Sequence, residues 1–501
     1  YLEQQSKLYF IKYPIKESAE YITVATTRPE TMLGDTAVAV NPNDERYKNL
    51  IGQTLILPIQ NREIPIIADE SVDKDFGAGA VKITPAHSLA DSETGHRHKL
   101  PSIVIINQYG KMTAEAGEEF EGLSTKDTRE KVVEKLQQLK LIEKIEDYPN
   151  RISICYRCNT AIEPRPSVQW FLKMDELAKR ALSAVQKEEI KFNDKRWEKI
   201  YTDWMSNIKD WCISRQIWWG HKIPLDGVDD VLDTWFSSAL WPFATLSWPS
   251  SDSKDLKEFY PTQVLSTARD IINLWVARMI FSGIEFMGEK PFSQIIIHPT
   301  ILAKDGRRMS KSLGTGIDPL VMVDQYGADA LRLSVLIGIS PGQDSRFSMS
   351  KIEHYKNFVN KLWNISRLIS SSVENVVPSQ EFKPATLADQ WILGKVTKLI
   401  EETTKDLDFY QFSQGAEGLY EFTWHDLADW YLEIAKLQLQ NKELKKNSER
   451  ILAYLLDTIL RLWHPYIPFV TEHIYQMVSR NAERGTRNLL MIQSWPEAQQ
   501  P

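Results

Sequence analysis

A multidomain chain of mixed class is predicted: a β-rich first part, an α/β middle and an all-α end. Three observations carry this. Residues 1–149 hold seven short, mostly β-branched apolar runs separated by turn signals. Residues 150–346 set apolar strand-like runs beside segments of helical period, and residues 347–501 are helical in period throughout. A length of 501 residues accommodates about three domains at ~150 residues each.

Composition narrows the class. With 43% hydrophobic and 25% charged residues the chain has an ordinary globular balance. It has no run of ~18 apolar residues, so no membrane span is expected. Three cysteines argue against a disulfide framework and for a reducing, cytoplasmic setting. The net charge of −7 neither advertises nor excludes nucleic-acid binding, because a local basic face suffices for it. The chain opens on Tyr1-Leu2-Glu3 and enters a strand-like run at 7–13, so upstream sequence is expected to be missing.

In the first region, strands are expected at 8–11, 21–25, 36–40, 54–58, 64–67, 80–83 and 103–106, forming a compact barrel or sandwich. A helix is expected at 129–139, with Val132, Val133 and Leu136 on one face. Two clusters look chemical: Thr26-Thr27-Arg28-Pro29-Glu30-Thr31-Met32-Leu33-Gly34-Asp35-Thr36-Ala37, and Gly77 to His87 with Lys82 and Thr84, followed by Asp91. Hydroxyls, an arginine, a lysine and an aspartate at strand ends suit a small zwitterion attached to a sugar. The aspartate would take the ammonium, and the others would orient an ester and its attacking water. Capping and turn formation account for the same hydroxyls equally well.

The middle region begins with Cys155-Tyr156-Arg157-Cys158, the spacing of half a zinc site, with no second such pair. Cys212 reads as core. Helices are expected at 176–185 and 197–204. The aromatic stretch 230–242, containing Trp235, reads as a buried strand and turn. Residues 265–279 read as a strand entering a helix. Asp270 at that junction suits a ribose, and Ile271 and Trp275, four apart, suit a branched aliphatic side chain. Residues 295–298 read as a buried parallel strand ending in His298, which either touches a nucleotide or is a satisfied core histidine. Then comes Asp305-Gly306-Arg307-Arg308-Met309-Ser310-Lys311-Ser312-Leu313-Gly314-Thr315-Gly316, before Asp318-Pro319 at a helix start. Glycines let this loop wrap a ligand, and its cations and hydroxyls suit a polyphosphate. Taken alone, such a cluster is a solvated basic turn.

In the last region the apolar faces are Ile392, Val396 and Leu399, then Leu419, Phe422, Leu427, Trp430, Tyr431 and Ile434, then residues 451–463. Pro465 and Pro468 separate that helix from one at 469–478.

The first cluster resembles the editing signature of the class I aminoacyl-tRNA synthetases for valine, isoleucine and leucine, in the form closest to the valine-specific members. Arg308-Met309-Ser310-Lys311-Ser312 resembles their Lys-Met-Ser-Lys-Ser loop, with arginine first. The resemblance implies a β-rich editing barrel at 1–149, part of a Rossmann-type catalytic domain at 150–346 and an anticodon-binding bundle at 347–501. It implies ATP-dependent activation of valine, with Mg²⁺, transfer to tRNA, and hydrolysis of threonyl-tRNA, by a monomer. A second hydrolytic site is physically necessary: an apolar pocket discriminates weakly against an added hydroxyl, and the valine-specific enzyme itself rejects threonine only about 10²-fold.

By the same resemblance Arg28, Thr31, Lys82, Thr84 and Asp91 line the editing site, with Ser88 where the family usually has aspartate. Lys311, Arg308, Ser310 and Ser312 serve catalysis, and Lys311, Asp270 and His298 meet ATP. Trp235, Ile271 and Trp275 wall the amino-acid pocket, and Lys361 and Arg367 are candidates for tRNA phosphates. Cys155 and Cys158 supply half a Zn²⁺ set, and the partner pair lies upstream in the family. The His-x-Gly-His motif of class I enzymes is absent; Gly95-His96-Arg97-His98 and Gly220-His221 stand in other contexts. No amino-acid activation by this polypeptide alone is therefore expected. An isoleucine-specific synthetase, and a tRNA-dependent hydrolase without ligase activity, are the alternatives.

Overall fold

The computed structural model describes residues 1–155, 158–250, 252–310, 314–339, 342–373, 382–479 and 489–498. The chain divides into two compact units, 1–169 and 170–501.

In the first unit, strand β1 (Leu2–Pro14) lies between β2 (Tyr21–Thr26) and β7 (Ile142–Ile152), antiparallel to both. A second sheet has the order β4 (Thr54–Ile56), β5 (Glu63–Ala68), β3 (Ala37–Val40), β6 (Ala80–Ile83). An Ile15–Leu55 bridge joins the two sheets at the end of β1. Strand β3 is buried on both faces. Val38 and Val40 enter the main core with Ile11, Tyr13, Val24 and Ile66, while Ala37 and Ala39 face a smaller one with Val72 and Ile83. Helix α1 (Leu89–His98) is capped by Ser88, whose Oγ accepts the Asp91 N–H at 3.3 Å. Helix α2 (Thr125–Gln138) buries Val132 and Leu136, one turn apart, and leaves Val133 half-buried.

Two expectations fail here. Residues 103–106 make only an isolated bridge, Ile106 to Met112, because the Ile105 and Ile106 N–H groups are taken by the His87 ring. Strand β7 has no counterpart in the expected set: it is an exposed, charge-rich partner of β1.

In the second unit, a parallel sheet sets strand Phe292–His298 between Thr262–Ala268 and Lys191–Phe192. Helices α3 (Asp175–Gln186) and α4 (Lys195–Ser206) follow the expected periods, and Asp194 caps α4 through its bond from Arg196 N at 2.8 Å. Between the first two strands runs a 3₁₀ turn (Arg269–Ile271), a π turn (Ile272–Val276) and the helix Ala277–Met287. The stretch 230–242 is not a strand and turn. After the two-residue strand Val231–Leu232, Asp233 caps helix α5 (Thr234–Ala239), its carboxylate accepting the Trp235 N–H at 3.3 Å. A short apolar run cannot be told from a buried strand by period alone, and the cap decides it.

The last part of the second unit packs the helices Met349–Ser372, Leu387–Asp408, Phe412–Glu421, Lys445–Trp463 and Pro468–Ser479 around Phe358, Val396, Leu419, Ile459 and Trp463. The expected stripe through Trp430 is broken, for Trp430 is 65% exposed. Residues Phe422–Tyr431 form a π turn, whose wider winding brings Phe422, Leu427 and Tyr431 inward and swings Trp430 out. Among the described residues no helix is long and apolar enough to cross a membrane.

Candidate functional site

The first site is built on the 3₁₀ turn Pro29–Gly34, buried along its whole length, which joins β2 to β3. Gly34 is needed for its close approach: a Cβ there would meet the Ile105 side chain at 3.2 Å and the Ile103 carbonyl at 3.3 Å. The turn presents Thr31 and Asp35 toward β6, where Lys82 and Thr84, two residues apart, share a face. Lys82 Nζ donates to Thr31 Oγ1 at 2.8 Å, Thr84 Oγ1 at 2.7 Å and Asp35 Oδ1 at 3.2 Å. These are as many partners as an ammonium has protons. Thr84 Oγ1 donates to Asp35 Oδ1 at 2.6 Å, and the Tyr13 hydroxyl donates to Oδ2 at 2.8 Å. Burial pushes the Asp35 carboxyl up to about 6, against the opposing pull of Lys82, Thr84 and Tyr13.

The rim of this cluster carries Arg28 and Asp91. The Thr84 N–H donates to Asp91 Oδ2 at 2.9 Å. Arg28 Nη1 donates to the His87 carbonyl at 3.1 Å, and Nη2 is ion-paired with Glu163. Buried Glu30 receives two bonds from Arg129, each 2.7 Å, which balance its charge. His87 accepts the Ile105 N–H at Nε2, 2.9 Å, and places Nδ1 3.1 Å from the Pro164 carbonyl. That pairing requires the neutral Nδ1–H tautomer, and burial pushes the imidazole down to about 4. All five expected residues of this site thus fall in one cluster. Asp35 stood in the first cluster without a role and Tyr13 was not singled out, because nothing in local spacing shows that Asp35 meets Lys82 and Tyr13 across the fold.

The second site lies at the carboxyl ends of the two parallel strands, where Ala268 and His298 are in register. His298 is exposed, with Nδ1 3.0 Å from its neighbour's Pro299 carbonyl, which removes the core-histidine alternative. It lines a cavity of about 840 Å³ with Ser266, Gly338 and Glu417. The basic loop turns back on Gly306 (φ +85°), with an Ala303 N–H to Arg307 carbonyl bond of 2.8 Å. Arg308 Nη2 then donates to Asp270 Oδ1 at 2.8 Å and holds that carboxyl below its usual range. Thr315, another missed residue, ties the loop: its Oγ1 accepts the Ser310 N–H at 3.0 Å and donates to the Arg308 carbonyl at 2.9 Å. Lys311 and Ser312 lie outside the described residues.

A family model for class I tRNA synthetases (isoleucine, leucine, methionine and valine) matches residues 40–227 and 225–348, over half of the sequence. The chain belongs to this class I tRNA synthetase family. A second model, the anticodon-binding domain of tRNA ligase, matches residues 389–501. Valine–tRNA ligases of Carboxydothermus hydrogenoformans and Thermotoga maritima are each 47% identical over 99% of this chain. The chain spans 59% of the length of each. A methionyl-tRNA synthetase of Mycobacterium tuberculosis bound by methionyl-adenylate shares the fold, with a TM-score of 0.53 and 21% identity over 66% of this chain and 68% of its own. Neither the isoleucine-specific nor the hydrolase-only alternative gains support from these relatives.

In the second unit the expected pocket residues are only partly united. Trp235 lines a cavity of about 720 Å³ with Asp233, Trp211 and Arg278. Trp275 reaches the same helix α5 through Nε1, which donates to the Ser238 carbonyl at 2.9 Å. Ile271 is half-buried in the 3₁₀ turn, and a 3₁₀-to-π junction, not one α-helical face, connects it to Trp275. Lys361 is committed to Asp429 at 2.8 Å over the Trp424 ring, whereas Arg367 is exposed.

The half set of zinc ligands expected at Cys155 and Cys158 gains no further ligand among the described residues. The Cys155 N–H donates to the Thr160 carbonyl at 2.8 Å, and neither Cys155 nor Cys158 is in a disulfide. Among the described residues no group of three or more His, Cys, Asp or Glu side chains is placed to hold a metal. Gly95-His96-Arg97-His98 is structural: Arg97 and His98 anchor α1 to Asp69, at 2.8 and 2.9 Å.

Proposed function

We propose that this chain supplies part of the machinery for the ATP-dependent attachment of valine to its tRNA, without activating the amino acid on its own, and removes by hydrolysis threonine attached in error. The observation that carries the reading is 47% identity to two valine–tRNA ligases over 99% of the chain. Residues 1–149 act as the editing barrel, 150–346 as the catalytic region and 347–501 as the anticodon-binding bundle.

In activation, a valine carboxylate oxygen bonds to the α-phosphorus of ATP. The bond from that phosphorus to the bridging oxygen breaks, and pyrophosphate departs with the electron pair. Arg308 and Lys311, with Ser310 and Ser312, stabilise the charge that gathers on the phosphoryl oxygens. Asp270 and His298 position the nucleoside, and Trp235, Ile271 and Trp275 exclude water around the valine side chain. Mg²⁺, when bound, neutralises part of the triphosphate charge.

In editing, a water oxygen bonds to the ester carbonyl carbon, and the bond to the ribose oxygen breaks. The ribose hydroxyl leaves carrying a proton. Asp91 takes the substrate ammonium, and Arg28, Thr31, Lys82 and Thr84 orient the ester and its attacking water. The test is the chain's rate of hydrolysing threonyl-tRNA against valyl-tRNA, both on a valine-accepting tRNA. Faster loss of threonine supports the reading, and equal rates overturn it.

A further inference from the structure

Lys82 and Thr84, two buried polar groups of the proposed hydrolytic site, rest on the Asp35 carboxylate, which stands in the first cluster with no role given to it. We propose that Asp35 is a positioning residue for ester hydrolysis, its carboxylate clamping the Lys82 ammonium and the Thr84 hydroxyl in their working geometry. The proposal rests on the hydrolytic reading of the first unit.

The argument is geometric. Asp35 is fully buried, Lys82 is 7% exposed and Thr84 is 1% exposed, so water cannot stand in for any of them. One carboxylate oxygen, Oδ1, takes both the Thr84 hydroxyl at 2.6 Å and Lys82 at 3.2 Å. The other is held by Tyr13 at 2.8 Å from strand β1. The aspartate itself is fixed by backbone: its N–H bonds the Met32 carbonyl, and its carbonyl accepts Arg62 Nη2 at 2.9 Å. Thr84, oriented in this way, presents its own N–H to Asp91, the expected ammonium partner, at 2.9 Å. A chain of contacts therefore runs from Tyr13 through Asp35 and Thr84 to Asp91. Burying an uncompensated ammonium is expensive, so without the carboxylate Lys82 must lose its proton or turn away.

The charged and titratable groups facing Asp35 are Lys82 from β6, Tyr13 from β1 and the Arg62 guanidinium, which bonds the Leu33 and Asp35 carbonyls. Because the clamp needs the ionised carboxylate, hydrolysis should fall on acidification. Removing the Tyr13 bond should move that fall to higher pH, since this bond favours the ionised form.

The experiment measures hydrolysis of threonyl-tRNA by the whole chain between pH 5 and 8, for the parent, Asp35→Asn and Tyr13→Phe. Asp35→Asn is expected to lower the turnover rate roughly tenfold to a hundredfold with little change in KM, as misplacement of a working group does. Tyr13→Phe is expected to retain turnover at pH 8 and to shift the acid limb upward. If Asp35→Asn does not fold, the Tyr13→Phe shift alone decides. An unchanged rate in Asp35→Asn, or an unmoved acid limb in Tyr13→Phe, overturns the proposal. A parent chain that fails to hydrolyse threonyl-tRNA overturns the hydrolytic reading instead.

Discussion

The Arg308 guanidinium and the Asp270 carboxylate meet at 2.8 Å, so the basic loop is tied to the end of a parallel strand 38 residues earlier in the chain. This pair is exposed on both sides. Exposed pairs contribute little to folding, but a loop needs little to be held in place. Asp270→Asn should leave the melting temperature unchanged and raise the rate of tryptic cleavage after Arg308 roughly two- to fivefold, the range such pairs support. Mass spectrometry of early digests reads the site. Cleavage at the parental rate would show that the pair does not restrain the loop.

A different aspartate carries stability. Asp389 is 1% exposed at the start of the helix Leu387–Asp408 and completes a reciprocal cap with Thr386. It also accepts the Tyr431 hydroxyl at 2.9 Å and Gln438 Nε2 at 3.1 Å. Asp389→Ala strands the Tyr431 hydroxyl in the core and leaves Gln438 Nε2 only Thr386 Oγ1, at 2.9 Å. A loss of about 3 kcal/mol is expected, more than loss of a cap alone causes. Chemical denaturation measures it, and a loss near that of Thr386→Ala would mean the buried bonds contribute nothing.

Two aspartates, Asp270 and Asp318, mark what the sequence makes legible. Asp270 is readable because it stands at a strand-to-helix junction, and Asp318 because proline follows it; its carboxylate does accept the Leu320 N–H at 2.9 Å. Periodicity placed α3, α4 and the parallel strand ending at His298. It missed β7, which carries Glu143, Lys144, Glu146 and Asp147 and is held by backbone pairing with β1, not by burial. It misjudged Trp430 because a π turn changes the winding in mid-helix. In the first site both motifs were readable, Asp35 among their residues, but which of those residues meet was not. Asp35 meets Lys82 47 positions on, and only the fold brings them together.

The exposed Cys158 thiol receives a hydrogen-bond partner in Thr160 at 3.3 Å, which helps hold it below the ordinary thiol range. Cys155 and Cys212 are each half-buried. Thiolate fraction and access together set alkylation rates. Cys158 should therefore react first with iodoacetamide at pH 7.5, and Thr160→Val should slow it. Peptide mapping after partial alkylation distinguishes the three. First labelling at Cys212 would contradict this order.

His87 and Asp35 act oppositely on acid stability. His87 is held at about 4 in the fold against about 6.5 when unfolded, so the folded form binds fewer protons in that window. Its contribution is complete above pH 6.5 and is lost as the pH falls toward 4. Asp35, raised to about 6, has the opposite sign: its contribution is complete below about 3.9 and is lost as the pH rises through 6. In the parent the two trends offset one another between pH 4 and 6. His87→Gln keeps an acceptor for the Ile105 N–H and a donor for the Pro164 carbonyl but cannot titrate, so only the Asp35 trend remains. Relative to the parent, the variant should gain several degrees of melting temperature as the pH drops from 7 to 5, at about 2–4 °C per kcal/mol for a unit of this size. Calorimetric scans across that range test it, and a constant difference would place the acid sensitivity elsewhere.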